Sequence, residues 1–188
     1  FVFFAKSGLE LESFKQFQRL TGDFRSMYLG KYKEKEIIAE INSYLERVRP
    51  YVKEIQVKNR DSNAYQNAEG SNDILKDSKI KIIFTNDADQ LTDEQKRMIK
   101  DYKGQTFEFG VGLITGSIVP NGNVKLSTDD FVHTVPLDVA SVEAVGTSGS
   151  EFLITISSPM ATSTNHKLKV LKSVARADSL ILKEEFIS

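Results

Sequence analysis

Two aspartates that follow an apolar run are the strongest candidates for chemistry in this sequence. Asp87 and Asp89 stand one residue apart, directly after the run KIKIIFT at 79–85. Carboxylates at the end of a buried strand can hold Mg²⁺ or Mn²⁺, because hard cations prefer oxygen ligands and a substrate's phosphates can complete the shell. The pair therefore predicts, as one alternative, a metal-dependent enzyme that transfers a phosphoryl or glycosyl group.

The stretch IIFTNDAD at 82–89 resembles two enzyme motifs. It is similar to the strand-DxD motif of metal-dependent glycosyltransferases and to the first motif of haloacid-dehalogenase-like phosphatases. Both resemblances imply a parallel sheet with helical crossovers, and the second implies Thr or Val where Leu91 stands. The interpretation that we prefer is an aspartate-rich turn before a helix, because Thr92 and Gln95 have the spacing of a capping box.

Other polar candidates have simple structural explanations. Asp129 and Asp130 can join a metal site but are also typical of a solvated strand end. His133 and His166 are the two histidines of the chain, and they do not have the spacing of zinc ligands. The glycine-serine turn at 146–150 lacks the second glycine of a nucleophile elbow. The sequence therefore gives no support for a zinc site or a serine nucleophile.

Lysines at alternating positions on predicted strands allow two interpretations. They can form a face that attracts phosphates, which would suit a nucleic-acid-binding protein, or they can protect sheet edges from pairing with other chains. We prefer edge protection and keep nucleic-acid binding as an alternative. The residues are Lys79, Lys81, Lys167, Lys169 and Lys172.

The composition is that of an ordinary globular chain. Its 188 residues are enough to bury a core within one domain, and its formal net charge of -1 gives no overall basic field for nucleic acid. The absence of cysteine excludes disulfides and predicts a reducing, cytoplasmic environment. No apolar run approaches the roughly eighteen residues of a membrane helix, so we expect no membrane span. Because the chain begins at Phe1 rather than Met, we expect a processed or partial chain.

Periodic apolar residues predict helices in the first half of the chain. A capping box at Ser7 precedes an amphipathic helix that loosens near Gly22. A second helix is predicted at 33–49 and ends there because Pro50 pushes the preceding residue out of the α region. A third helix begins at Thr92.

The clearest strand signal lies at 105–126, where Asn121-Gly122 stands between apolar segments. Both residues tolerate the positive φ that a type I′ turn requires, so the stretch predicts a β-hairpin. Strands are also predicted at 51–58 and 79–85, and the chain after the hairpin is rich in strands. Closely spaced strands without long helices between them must pair mostly antiparallel.

A polar run at 59–78 interrupts the predicted strands. Loops of this length without structure of their own are uncommon inside compact domains and are usually functional or disordered. One interpretation is a mobile insertion. In the other, Arg60 and Tyr65 contact a partner, because Arg and aromatic side chains are enriched at binding hot spots.

These patterns together predict a single α+β domain over residues 1–188. Residues 1–104 are its helix-rich part and residues 105–188 its strand-rich part. The N-terminal amphipathic helices are expected to pack on a mainly antiparallel sheet formed largely by the C-terminal half.

The leading functional hypothesis is a non-enzymatic binding protein that acts through its loops. Arg60 and Tyr65 are its candidate contacts, and the expected partner is another protein. This hypothesis requires no cofactor, whereas the enzyme alternative requires Mg²⁺ or Mn²⁺ at Asp87 and Asp89. The identity of the partner and the oligomeric state do not follow from the sequence.

Overall fold

The computed structural model describes residues 22–118, 123–132 and 139–188, with side chains from Lys33 onward except at positions 117 and 139. The amphipathic helix predicted after Ser7 lies outside the described residues, except for its expected end near Gly22. Its packing on a sheet therefore stays a prediction.

The chain divides into two compact units between Tyr44 and Leu45. In the first unit the described residues belong to helix α1, which spans Gly22–Val48 and whose last turn lies in the second unit. The helix confirms the segment predicted at 33–49 and ends before Pro50 as expected. None of the described helices combines the length and the apolar character needed to cross a membrane.

The second unit contains, among the described residues, eight strands in two antiparallel sheets. The strands are β1 Tyr51–Lys58, β2 Tyr65–Asn67, β3 Ile80–Thr85, β4 Val124–Ser127, β5 Val139–Ala144, β6 Glu151–Ile156, β7 Lys167–Val170 and β8 Phe186–Ile187. The larger sheet has the order β2-β1-β3-β6-β5 and the smaller sheet the order β4-β7-β8. All pairs of these strands are antiparallel, which confirms the predicted pairing and an α+β composition.

The origin of the larger sheet differs from the prediction. Three of its five strands, β1, β2 and β3, come from residues 51–85, so the sheet is not formed largely by the C-terminal half. Strand β2 lies inside the run at 59–78 that was predicted as a loop, and it pairs with the end of β1 through Lys58 and Tyr65. An edge strand can be polar because it needs main-chain hydrogen bonds on one side only.

The prediction of a hairpin at 105–126 is wrong for the first of its two strands. Leu113 makes an isolated β-bridge, and Thr115–Ile118 forms the short helix α3. Strand β4 pairs instead with β7, where Val124 lies opposite Val170. The Asn-Gly turn itself lies outside the described residues. Burial of both valines in the core explains this choice of partner better than the local turn signal does.

Apolar side chains of both sheets meet in one core. Ile82 and Phe152 of the larger sheet and Val124 and Val170 of the smaller sheet are fully buried in the same cluster. The ring of Phe152 packs edge-to-face against Phe84, with centroids 6.1 Å apart. The two sheets therefore share this core through the faces that carry these side chains.

Helix α2 spans Asp93–Lys103 and begins with the predicted capping box. The Thr92 hydroxyl accepts a hydrogen bond from the Gln95 backbone N–H at 3.2 Å, and the Gln95 side chain accepts one from the Thr92 backbone N–H at 3.0 Å. Gly104 is the C-cap residue, and its backbone N–H donates to the Lys100 carbonyl oxygen.

Loss of this cap has a defined cost. We expect Thr92→Ala to lower the free energy of unfolding by about 1 kcal/mol, because a backbone donor at the helix start loses its partner. Urea denaturation measures the loss. Thr106→Ala, at an exposed threonine beyond the helix, is the control. Equal stability of the two variants would contradict the role of the cap.

Candidate functional site

Asp87 joins three segments of the second unit. Its Oδ1 accepts a hydrogen bond from Tyr51 Oη at 3.0 Å, and its Oδ2 accepts one from Lys183 Nζ at 2.9 Å. Its backbone N–H donates to the carbonyl oxygen of Arg47 at 2.8 Å. The carboxylate therefore holds the start of β1 and the C-terminal segment against the turn that follows β3.

These contacts shift three pKa values in a consistent way. The hydrogen bond from Lys183 lowers the pKa of the Asp87 carboxyl and outweighs the effect of burial, and the same bond raises the pKa of Lys183. The hydrogen bond to the Asp87 carboxylate raises the pKa of Tyr51. These directions together favour a charged Asp87–Lys183 pair beside a neutral Tyr51. We refer to the contacts among these three side chains as the tether, because they hold three segments of the chain together.

The tether predicts a pH-dependent stability. We expect Lys183→Met to lower the free energy of unfolding at pH 7 by about 0.5–1 kcal/mol, a small loss because the lysine side chain is 40% exposed and solvent screens the pair. The depressed folded pKa of Asp87 means that its contribution is present above the ordinary value of 3.8 and is lost as the pH falls through the folded pKa. The raised folded pKa of Lys183 means that its contribution is present below 10.5 and is lost as the pH rises through the folded pKa.

Urea denaturation of wild type and Lys183→Met across this pH range measures the effect. The difference between them should be largest near neutral pH and should close at strongly acid pH. Lys172→Met is the matched control, because Lys172 is exposed and has no ion pair among the described residues. A difference that stays constant down to acid pH would show that the lysine stabilises only through its alkyl chain.

Asp89, the second residue of the predicted metal pair, follows Asp87 in the turn after β3. It lies exposed in the short 3₁₀ turn Ala88–Gln90. Within the described ranges no three His, Cys, Asp or Glu side chains are grouped so that they could hold a metal ion. A cation at Asp87 would have to displace Lys183. The metal site at these two aspartates stays a prediction, without a third ligand in the described part of the chain.

The second pair of aspartates belongs to the turn after β4. Asp129 accepts a hydrogen bond from the Ser127 hydroxyl at 2.7 Å, and Asp130 forms an ion pair with Lys167. These contacts fix the turn beside β7. His133, the histidine predicted near this turn, lies outside the described residues.

The lysines that suggested nucleic-acid binding do not form one basic surface. Two of the five belong to β3 and the loop before it, two belong to β7 of the other sheet, and Lys172 follows β7. Lys172 forms no ion pair among the described residues, whereas the other four form ion pairs with carboxylates. The pairs are Lys79–Glu143, Lys81–Glu151, Lys167–Asp130 and Lys169–Glu185.

A groove runs between two polar loops of the second unit, at residues 68–76 and 160–166. It consists of an apolar cleft of about 320 Å³ and a polar cleft of about 350 Å³. Asn72, Met160 and His166 line both clefts, so the two clefts adjoin. We refer to them together as the loop groove.

The apolar cleft opens into the core between the sheets. Its floor is formed by Ile55, Val57 and Ile80 of the larger sheet and by Leu126 and Leu168 of the smaller sheet. Hydroxyl and amide side chains of the two loops line its opening together with Glu69, His166 and Lys167. The cleft therefore offers an apolar surface surrounded by hydrogen-bonding groups.

The polar cleft is lined by two cationic side chains and one carboxylate. The cations are Arg60 and Lys76, the carboxylate is that of Asp73, and His166 also lines the cleft. The Arg60 guanidinium lies 3.3 Å from carboxylate oxygens of both Asp73 and Asp61. Lys76 is exposed and forms no ion pair in the described part of the chain.

The tautomer of His166 follows from its one ring contact. Nδ1 lies 2.9 Å from the carbonyl oxygen of Thr164. A carbonyl oxygen can only accept, so Nδ1 carries the proton and Nε2 is the acceptor of the neutral ring. The carbonyl partner therefore fixes the orientation of the ring and leaves Nε2 as the acceptor.

Comparisons with known proteins do not assign a family to this arrangement. No protein-family model, no curated protein and no solved structure matches the chain. The side chains of the groove alone therefore indicate what it can bind.

Backbone hydrogen bonds hold the two loops in place. The Met160 N–H donates to the Lys76 carbonyl oxygen at 3.0 Å, and the Arg60 N–H donates to the Asp73 carbonyl oxygen at 2.7 Å. The buried Ser78 hydroxyl accepts from the Lys58 N–H at 2.8 Å. The run at 59–78 is therefore built into the fold rather than being an insertion without structure.

The two predicted contact residues lie in different places. Arg60 lines the polar cleft. Tyr65 lies on β2 opposite Lys58, with its ring 5.6 Å from Lys58 Nζ and 5.0 Å from Lys81 Nζ. Lys58 alternates with the buried Val57, so Tyr65 lies on the face of the larger sheet that points away from the core.

Sequence reasoning missed most of the groove. The polar run at 59–78 was recognisable as a loop, but no local signal indicated that it faces residues 160–166. The available hint in the sequence was an apolar residue close to each loop, Ile80 for one and Leu168 for the other. Both are buried and line the apolar cleft in the structure.

Proposed function

We propose that the chain is a non-enzymatic binding protein that holds a segment of another protein in the loop groove. The observation that carries the proposal is the junction of an apolar cleft with a polar cleft between two hydrogen-bonded loops. Binding sites are typically concave, with an apolar lining and a few polar groups that set the orientation of the ligand. The cleft volumes lie at the lower end of the range for such sites.

A peptide segment suits the polar lining of the groove. Each residue of a peptide offers a backbone donor and a backbone acceptor. Hydroxyl and amide side chains can both donate and accept, and Asn72, Thr164 and Asn165 supply such groups to both clefts. An extended segment can therefore bond to the rim while one of its side chains enters the apolar cleft.

The contacts of Asp87 favour a structural role over catalysis. Both of its carboxylate oxygens are bonded to protein donors. The cytoplasm remains the proposed location, on the basis of a cysteine-free composition.

Occlusion of the groove tests the proposal. Asn72 is exposed and lines both clefts, so Asn72→Trp should fill their junction without disturbing the core. Thr147→Trp places the same side chain at an exposed position outside both clefts. Wild type and both variants are immobilised, exposed to extract of the native host and analysed by quantitative mass spectrometry.

We expect at least one protein to be retained by wild type and by Thr147→Trp and to fall at least tenfold with Asn72→Trp, a change that corresponds to about 1.4 kcal/mol of binding free energy. Retention of the same proteins at the same level by all three chains would contradict the proposal. Thermal unfolding confirms that both variants are folded.

A further inference from the structure

We infer that the loop groove selects a segment with an apolar side chain and, two residues away, an Asp or Glu side chain. The inference rests on the proposed function and adds to it the chemistry by which the partner is recognised. The apolar side chain occupies the cleft between the sheets, and the carboxylate occupies the polar cleft beside Arg60 and Lys76.

Burial of the floor supports the apolar half of this motif. Ile55, Val57, Ile80 and Leu168 line the apolar cleft and are themselves buried in the core, so they are held rigidly in place. An apolar side chain that enters the cleft removes its own surface and the exposed part of the floor from water, which is the main driving force for association.

Charge complementarity supports the acidic half. Lys76 has no ion pair among the described residues, and Arg60 donates hydrogen bonds of 3.3 Å to the carboxylates of Asp61 and Asp73. The side chains of all three paired residues are more than half exposed, so these ion pairs are weak and exchangeable. A guanidinium fork binds a carboxylate through two parallel hydrogen bonds.

The spacing follows from the junction of the two clefts. They share Asn72, Met160 and His166, so their occupants must lie close together. In an extended segment, side chains two residues apart point to the same side and are separated by about 7 Å. Neighbouring side chains point to opposite sides and cannot both enter the groove.

A peptide array tests the motif directly. The probes are synthetic peptides that contain Leu-x-Glu, Leu-x-Gln, Leu-x-Lys or Ser-x-Glu in both orders, with Ala, Ser or Gly at the other positions. The full chain is applied as wild type, Asn72→Trp, the double variant Arg60→Gln with Lys76→Gln, and the control Lys172→Gln. Kd values for the strongest peptides are then measured in solution.

Wild type and Lys172→Gln should bind Leu-Glu peptides about tenfold more tightly than Leu-Gln peptides, because one charge-assisted hydrogen bond is lost with Gln. The Ser-Glu and Leu-Lys peptides should bind more weakly still. In the double variant the preference for Glu over Gln should disappear, while binding of Leu-Gln peptides is retained. All Leu-dependent binding should be lost with Asn72→Trp.

The outcomes separate the inference from the function on which it rests. If Leu peptides bind and are lost with Asn72→Trp, but Glu and Gln peptides bind equally, the acidic half is overturned and the groove still binds peptides. A preference for Glu that persists in the double variant likewise overturns it. If no peptide distinguishes wild type from Asn72→Trp, the inference fails and the proposed function loses its peptide-binding groove.

Discussion

Arg176→Met is expected to lower the free energy of unfolding by about 3 kcal/mol, because it removes a buried donor and leaves two backbone carbonyl oxygens and a carboxylate without their partner. Arg176 is 5% exposed. Its guanidinium donates to the carbonyl oxygens of Gly110 at 2.8 Å and Glu108 at 2.6 Å, and it binds both carboxylate oxygens of Asp178. It also lies 5.2 Å from the centre of the Phe107 ring.

Two further variants define the origin of the effect. Arg97→Met removes an exposed arginine of helix α2 and should change the stability by less than about 0.5 kcal/mol. Arg176→Lys keeps the positive charge but loses the planar fork, so we expect an intermediate loss. Urea denaturation at neutral pH measures all three. A loss for Arg176→Met no larger than that for Arg97→Met would contradict the role of the buried guanidinium.

Gly149→Ala is expected to have the second largest effect, a loss of about 2–4 kcal/mol, because it combines an unfavourable backbone conformation with a steric clash. Gly149 has a φ of 63°. A Cβ atom at this position would lie 2.5 Å from the backbone oxygen and 2.8 Å from the backbone nitrogen of Leu113. Backbone atoms cannot rotate away as a side chain can, so the segment would have to move.

Gly146→Ala is the matched control for this prediction. Gly146 has a φ of 75° in the same turn, but a Cβ atom there would meet no atom within 4 Å. Its substitution should therefore cost only the backbone strain, about 1 kcal/mol. The difference between the two variants isolates the clash. Equal losses of stability in the two variants would contradict the close approach of the Leu113 backbone to Gly149.

Both predictions concern the segment that replaces the predicted first strand of the hairpin. Arg176 holds its backbone at Glu108 and Gly110, and the Gly149 turn packs against it at Leu113. Val111 of the same segment is buried in the core. An irregular segment can run beside the core because Arg176 and the turn supply the hydrogen bonds that a strand neighbour would otherwise provide.

The candidate site was predictable only in part. Arg60 was singled out by residue type alone and does line the groove, whereas Tyr65, chosen for the same reason, lies on the face of the larger sheet that points away from the core. Asp87 was recognised as an unusual carboxylate, but its partner Lys183 stands 96 residues further along the chain. No periodicity or motif connects residues at such a distance.

The sequence by itself determined the features that depend on neighbouring residues. The capping box of Thr92 and Gln95, the end of α1 before Pro50, and the alternating burial of β3 are all encoded within a few positions. Each is decided by local backbone geometry and by which face of one element is apolar, so the sequence was sufficient to predict it.

Tertiary structure alone decided which segments face each other. The pairing of β4 with β7 places Val124 and Val170 in a shared core, and this burial outweighs the local preference of an Asn-Gly turn for a hairpin. The loop groove exists because the ends of two packed sheets bring residues 68–76 and 160–166 together. Burial of apolar surface depends on contacts between distant segments, which a linear pattern of residues does not specify.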